Sequence, residues 1–414
     1  MKEKKQIYLV GIGMGTFQGL TKEAEEVISS SDVLAGAKRM VAPFLVQDRK
    51  QETEDSEKTV FVSYSPKEIG AFFRSQKTMR QGAVLLSGDV GFYSGAKKML
   101  QELQDFQVTL IPGISSLVYF CSRLKVGWED VCVCSVHGRN TNVVGRIKRN
   151  KKTFVLLDGG EKLQELCEKL VYYGMEDVIL HVGEQLSYPQ ERIVSERAGV
   201  LKEKGDFGFD KLLVVLAENE KPQDWVAVSI PDEEFIRSKV PMTKSEVRTV
   251  SVGKMKLTSK AVCYDVGAGS GSVSVEMALQ SPDIQVYSIE KNPEALELLE
   301  KNKQKFGADN MEIIPGMAPE VLAELPAPSA VFIGGSDGNL SSIMDTVFEK
   351  NSQCRVVINT VTLNSISQVM EYLKEHPQLQ TDIVQMQTAK DRMLGEYHMM
   401  MGQNPIYIVT IWGA

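Results

Sequence analysis

Residues 261–278, AVCYDVGAGSGSVSVEMA, constrain the fold more than any other stretch of the chain. An apolar run from Ala261 to Tyr264 ends at Asp265, and Gly267, Gly269 and Gly271, with Ala268 and Ser270 between them, precede a segment of helical composition. A strand that turns at once into a helix needs residues that accept positive φ, and a Cβ there would block a ligand approaching the backbone. The next run, QVYSIE, ends in Glu290, about 20 residues on, where a carboxylate can accept hydrogen bonds from both hydroxyls of a ribose. Strand, glycine loop, helix, strand and acid together predict a parallel α/β unit with a nucleoside-type site.

Three readings of this loop stay open on the residues alone. A dinucleotide site, as in an NAD-dependent oxidoreductase, carries GxGxxG and seats a pyrophosphate on the helix N-terminus. Here the sequence from Gly267 reads GAGSGS, with Ser272 at the third glycine position. A ligand without a pyrophosphate suits that GxGxG spacing better. A structural turn with no ligand is the third reading, and the acid on the following strand weighs against it. Further on, Gly316, Met317 and Ala318 follow a third strand, where an adenine ring is expected. Gly334 and Gly335 end a fourth strand, at the crevice where open α/β sheets bind ligands.

The alternation of short β-branched runs with helical segments extends over all 414 residues, too many for one small module. In the first half Ile7–Val10, Val84–Leu86, Val108–Ile111, Thr153–Leu157 and Leu212–Leu216 read as strands; in the second half the runs at 285–289, 311–314, 330–333, 355–359 and 406–410 do so. Pro222 and Pro231 punctuate a charged stretch without a helical stripe, which places a boundary near residue 225 and predicts domains 1–224 and 225–414. A formal charge of −7 argues against a nucleic-acid binder. Six cysteines without a CxxC pair argue against a disulfide framework or a metal site and fit a reducing cytoplasm. Glycines interrupt the apolar N-terminus, so no signal peptide is expected. No apolar run reaches the roughly 18 residues of a membrane span.

The GxGxG loop with Asp265 before it resembles class I S-adenosylmethionine-dependent methyltransferases. MTKSEVR, DVGAGSGSVSVEMA, GMAPEVL and FIGGSDGNL, in this order over residues 229–414, resemble the decarboxylating C15-methyltransferase of cobalamin biosynthesis, the CbiT family. In the first half IYLVGIGMG, VLLSGDVGFYSG and TLIPGISSL resemble the tetrapyrrole methylases, class III methyltransferases, and most closely the C5-methyltransferases of the CbiE family. A CbiE-like half followed by a CbiT-like half is the layout of the bifunctional C5,15-methyltransferases. The resemblance implies a two-lobed α/β fold followed by a Rossmann-like class I fold. It implies S-adenosylmethionine as cofactor, a precorrin or cobalt-precorrin as substrate, and a homo-oligomer. It also implies methylation of C5 by the first half, and methylation of C15 with loss of the ring C acetate carboxyl by the second. The implied cofactor contacts are Gly11, Gly13 and Gly15, then Ser87, Gly88, Asp89, Gly91 and Phe92, then Ser115 with Ser116. In the second half they are Thr243 and the loop, acid and glycine residues named above.

Methyl transfer from a sulfonium is a positioning problem, so no nucleophilic triad and no metal is expected. A polycarboxylate substrate calls for basic side chains at its mouth. Lys244 and Arg248, one helical turn apart, are candidates for substrate contact, and His137 for contact or acid–base work; a structural role is the alternative for each. The run between Arg139 and Lys152 carries no acid and reads as a solvated loop, and His398 beside three methionines reads as core surroundings.

Overall fold

Where strands are covered by helices on both faces, they read as continuous apolar runs, and such sheets are parallel. The computed structural model describes residues 5–45, 58–136, 141–205, 208–209, 213–223 and 228–413. The chain divides into two compact units, Met1–Arg139 with Lys151–Cys167 and Asp177–Asn219, and Asn140–Asn150 with Glu168–Glu176 and Glu220–Ala414.

The first unit contains two five-stranded sheets. Strands β1 (Gln6–Gly11), β2 (Val33–Gly36), β3 (Thr59–Val62), β4 (Gln81–Leu86) and β5 (Gln107–Ile111) pair in the order β3-β2-β4-β1-β5, all parallel. Along β1 the side chains alternate, with Ile7 and Leu9 in one core cluster and Val10 in the other. The helix Lys22–Ser30 begins where the sequence provides a cap, Thr21, whose hydroxyl accepts from Ala24 N at 3.2 Å. Strands β6 (Cys132–Ser135), β7 (Lys152–Leu157), β8 (Ile179–Glu184), β9 (Arg192–Arg197) and β10 (Leu213–Glu218) form the order β6-β7-β10-β8-β9. Only β6 and β7 are parallel there.

The second unit holds β11 (Val262–Val266), β12 (Gln285–Glu290), β13 (Met311–Pro315), β14 (Ala330–Ile333), β15 (Arg355–Thr360), β16 (Gln380–Met386), β17 (Ala389–Leu394), β18 (Tyr397–Gly402) and β19 (Ile406–Trp412). Seven of them form one sheet, β13-β12-β11-β14-β15-β19-β16, parallel as far as β15 and antiparallel beyond it. Cys263 faces one core cluster and Tyr264 and Val266 the other. The strand order reverses between β11 and β14, which is where such sheets open a ligand crevice. Among the described residues no helix is long and apolar enough to cross a membrane.

The expectation for His398 is corrected. It lies on the two-stranded ribbon β17–β18, with Nδ1 2.8 Å from Asp391, and its side chain is exposed, as are Met399, Met400 and Met401. Three consecutive methionines on a strand alternate between its faces, and this ribbon has core on neither.

Candidate active sites

At the crevice of the second unit, β11 runs into the loop Gly267–Gly271 and then the helix Ser272–Ala278. Gly267 has φ +71°, and a Cβ there would lie 2.9 Å from the backbone of Gly335. The two glycine loops, one after β11 and one after β14, therefore touch backbone to backbone. A cavity of about 900 Å³ opens beside them. Asp265, Gly267, Ala268, Gly269, Ser270, Glu290, Gly334, Gly335, Thr243 and Lys244 line it.

Four expected residues stand outside that lining. Gly271 caps the helix, and a side chain there would meet Leu299. Gly316 and the exposed Met317, with the buried Ala318, follow β13 but are not among the residues lining the cavity. Glu290 is more occupied than its position suggests. Its Oε2 accepts from Gly269 N at 2.9 Å, and its Oε1 accepts from Lys291 N and Asn292 N at 2.8 and 2.9 Å. A carboxylate offers about four acceptor positions. Glu290 therefore ties the glycine loop to the end of β12 and keeps one position on Oε2 for a ligand.

Asp265 is fully buried. Its Oδ2 accepts from Ser274 Oγ, which in turn accepts from Ser288 Oγ at 2.7 Å, and its Oδ1 has no hydrogen-bond partner. Burial pushes its carboxyl up to about 7, against the opposing pull of the Ser274 hydrogen bonds, and the Glu290 charge adds to the rise. Between the ordinary 3.8 and about 7 the folded chain keeps a proton that the unfolded chain has lost. Stability from this group is therefore full at acid pH and falls as pH rises through about 7. The Asp265→Asn variant is expected to escape that fall: its melting temperature, measured against the wild type, gains as pH rises from about 4 and levels off above about 7. A constant difference across that range would mean that Asp265 is not held protonated.

The reading of Arg248 as a substrate contact is corrected. Its side chain has no exposure, and its guanidinium pairs with Glu276 at 2.8 Å and Asp232 at 3.3 Å, donates to Thr243 O at 2.6 Å and to Ile230 O, and lies 4.7 Å from the Phe235 ring centre. Both acids lie outside the motif that contains the arginine. Lys244, one turn earlier, keeps its side chain partly exposed at the cavity, 3.7 Å from Asp232. His137 lies outside the described residues.

In the first unit, the loops after β1, β4 and β5 meet. A Cβ on Gly11 would lie 2.8 Å from both Gly113 N and Gly88 O, and Gly13 and Gly88 form a bridge with N–H···O distances of 3.2 and 2.7 Å. Asp89 accepts from Gly91 N at 2.8 Å and Gly113 N at 3.1 Å. Gly11, Gly13, Asp89 and Gly91 thus hold loops together. Ser115 caps the helix Ser116–Leu124. Ser87, Gly88, Phe92 and Ser116 line a cavity of about 350 Å³. Gly15 is not part of that lining; a Cβ on it would lie 2.8 Å from the Tyr188 hydroxyl. Sequence reasoning missed Tyr93, Gln185 and Tyr188, which also line it. Tyr93 and Gln185 have φ of 48° and 46°, uncommon for residues with side chains and frequent at functional sites.

A model of the precorrin methyltransferase domain matches residues 234–413, and one of the tetrapyrrole (corrin/porphyrin) methylases matches residues 6–202. A probable cobalt-precorrin-6B C(15)-methyltransferase (decarboxylating) of Pyrobaculum calidifontis is 41% identical over 186 residues, 44% of this chain and 95% of that protein. The chain belongs to the precorrin methyltransferases. Among other members of this family, the precorrin-6Y C(5,15)-methyltransferase [decarboxylating] of Sinorhizobium sp is 26% identical over 412 residues, 98% of this chain and 95% of that protein. A crystal structure of precorrin-6y C5,15-methyltransferase from Geobacter metallireducens is 38% identical and covers 45% of this chain and 97% of its own, with a TM-score of 0.43. The oxidoreductase reading finds no support in these relatives.

As a precorrin methyltransferase the chain is expected to use S-adenosylmethionine as methyl donor, and the second cavity fits that group. The unpartnered Asp265 Oδ1 is an acceptor suited to an ammonium, and the open face of the glycine loop leaves the backbone within reach of a nucleoside.

Proposed function

We propose that this chain is a bifunctional C-methyltransferase of cobalamin biosynthesis that acts on a precorrin or cobalt-precorrin. In this reading residues 1–224 methylate C5, and residues 225–414 methylate C15 and remove the ring C acetate carboxyl as CO2. The observation that carries the reading is a cavity beside the glycine loops of each unit, the first lined mostly and the second wholly by residues matched by a different methyltransferase model.

When bound, S-adenosylmethionine supplies an electrophilic methyl group. The remaining work is positioning. In the second unit the residues that would hold the donor are Asp265, Gly267–Ser270 and Glu290. Gly335 has no atom within 4 Å of a would-be Cβ, which leaves space for a reacting carbon beside the methyl group. Lys239 and Lys244 at the cavity offer charges to substrate carboxylates, while Lys291 is paired with Asp337 at 2.6 Å. In the first unit Ser87, Gly88 and Ser116 would hold the donor, with Tyr93 and Gln185 fixing the shape of the trough.

The test is calorimetric titration with S-adenosylhomocysteine followed by mass analysis of the product from a precorrin-6B-type tetrapyrrole. Two sites per chain, a gain of two methyl groups and the loss of one CO2 are expected. A single site, or a product with one added methyl group, would remove one of the two assignments.

A further inference from the structure

The lining of the second unit's cavity is charged in some segments of the chain and neutral in others. The loops after β11 and β12 occupy one side, so the side beyond β14 is left for the substrate. There the lining comes from Asn359, Val361, Thr388, Gln403, Asn404 and neighbouring apolar residues, and from residue 359 onward it contains no charged side chain. All three lysines of the cavity come from earlier segments of the chain. Two of the amides in the neutral stretch are held in place. Ser251 Oγ donates to Asn359 Oδ1 at 3.0 Å, and Thr388 Oγ1 donates to Gln403 Oε1 at 3.2 Å. Asn359 Nδ2 is buried with no hydrogen-bond partner, an arrangement that costs stability unless a ligand completes it.

Resting on the function proposed above, we infer that the neutral stretch beyond β14, Asn359 with Gln403 and Asn404, receives the carboxylate that leaves as CO2. The chemistry favours this assignment. In decarboxylation the bond between the acetate methylene and its carboxyl carbon breaks, and its electron pair passes into the conjugated imines of the ring. The methylene then takes up a proton and becomes a methyl group. The methylated ring carbon releases one proton while the broken carbon–sulfur pair stays on sulfur, so the two steps together need no oxidant, reductant or net proton. A cation paired with the departing carboxylate stabilises the starting charge more than the transition state, in which that charge has moved into the ring. A neutral amide orients the carboxylate through hydrogen bonds without holding its charge as an ion pair does.

Asn359→Lys and Gln403→Lys place an ammonium in this stretch. Each is expected to bind S-adenosylhomocysteine like the wild type and to accumulate a methylated product heavier by one CO2, by roughly 10-fold. Asn359→Asp, which sets like charges together, is expected to weaken tetrapyrrole binding roughly 10-fold, read by absorbance titration with S-adenosylhomocysteine present and no turnover. Wild-type product ratios in the lysine variants, together with wild-type binding in Asn359→Asp, would overturn the inference. If Asn359→Lys loses S-adenosylhomocysteine affinity, the product ratio of Gln403→Lys decides alone. A wild-type chain that transfers no methyl group to the tetrapyrrole would instead defeat the function on which this rests.

Discussion

Gly267→Ala is expected to abolish S-adenosylhomocysteine binding at the second site while the site in the first unit keeps its affinity. Two effects combine at this residue. Its φ of +71° disfavours any side chain, at about 1–2 kcal/mol. A Cβ would also stand 2.9 Å from Gly335 N and O, which are backbone atoms that no rotamer change can move aside. The loop cannot yield without loss, because Gly267 N and Ala268 N both donate to Ile289 O at 3.0 Å and Gly334 N donates to Val266 O at 2.9 Å. Calorimetry should therefore count one site in place of two, and the second unit should melt earlier by an amount worth about 2 kcal/mol or more. Gly335→Ala is the contrast, since its Cβ meets nothing within 4 Å; it should retain stability and donor affinity and lose methyl transfer only if the substrate occupies that space. Full donor affinity in Gly267→Ala would move the binding site away from this loop.

The features legible in the sequence are those carried by local pattern. The glycine loop after β11 and the acid at the end of β12 are set by the needs of a tight turn and of a strand end, and both lie within a few residues of their cause. The parallel strands show as apolar runs for the same reason. Features that depend on distant partners were not legible. Arg248 reads as a substrate contact because it stands one helical turn from Lys244 in a motif shared with the resembling family, whereas its role is fixed by Asp232 and Glu276, which lie outside that motif. Gly11 reads as a ligand contact, yet its small size is required by Gly88 and Gly113. Glu290 was identified, but its three backbone donors were not. Asn359 did leave a signal, a polar residue next to the end of the run RVVINT at the crevice edge of the sheet. Its meaning depends on Ser251 and on the neutral surroundings that the fold brings to it.

Arg248→Met is expected to destabilise the second unit by about 3–5 kcal/mol, the usual result of removing one partner from a buried ion pair. The guanidinium organises the entry to this unit. Ile230 N donates to Glu276 Oε1 at 2.9 Å and Ser245 N donates to Asp232 Oδ1 at 3.0 Å, so the acids that hold the arginine also hold the chain that leads into its helix. Methionine fills much of the volume but leaves Glu276 buried without a counter-ion and Asp232 with only Lys244 at 3.7 Å. Burial already pushes the Glu276 carboxyl above its ordinary value, with the Arg248 interactions opposing the rise. Without the arginine that opposition disappears, Glu276 binds its proton more tightly in the fold, and the deficit in stability should grow as pH rises from acid to neutral. Thermal melts of Arg248→Met against wild type at several pH values would show this, and adding Glu276→Gln should recover part of the loss by removing the charge. A pH-independent deficit, or no recovery in the double variant, would mean that packing around Phe235 and not charge makes the arginine necessary. Lys244→Met separates the fold from the site. Its lysine is half-exposed and pairs with Asp232 only at 3.7 Å, so its loss should leave the melt almost unchanged and weaken tetrapyrrole binding.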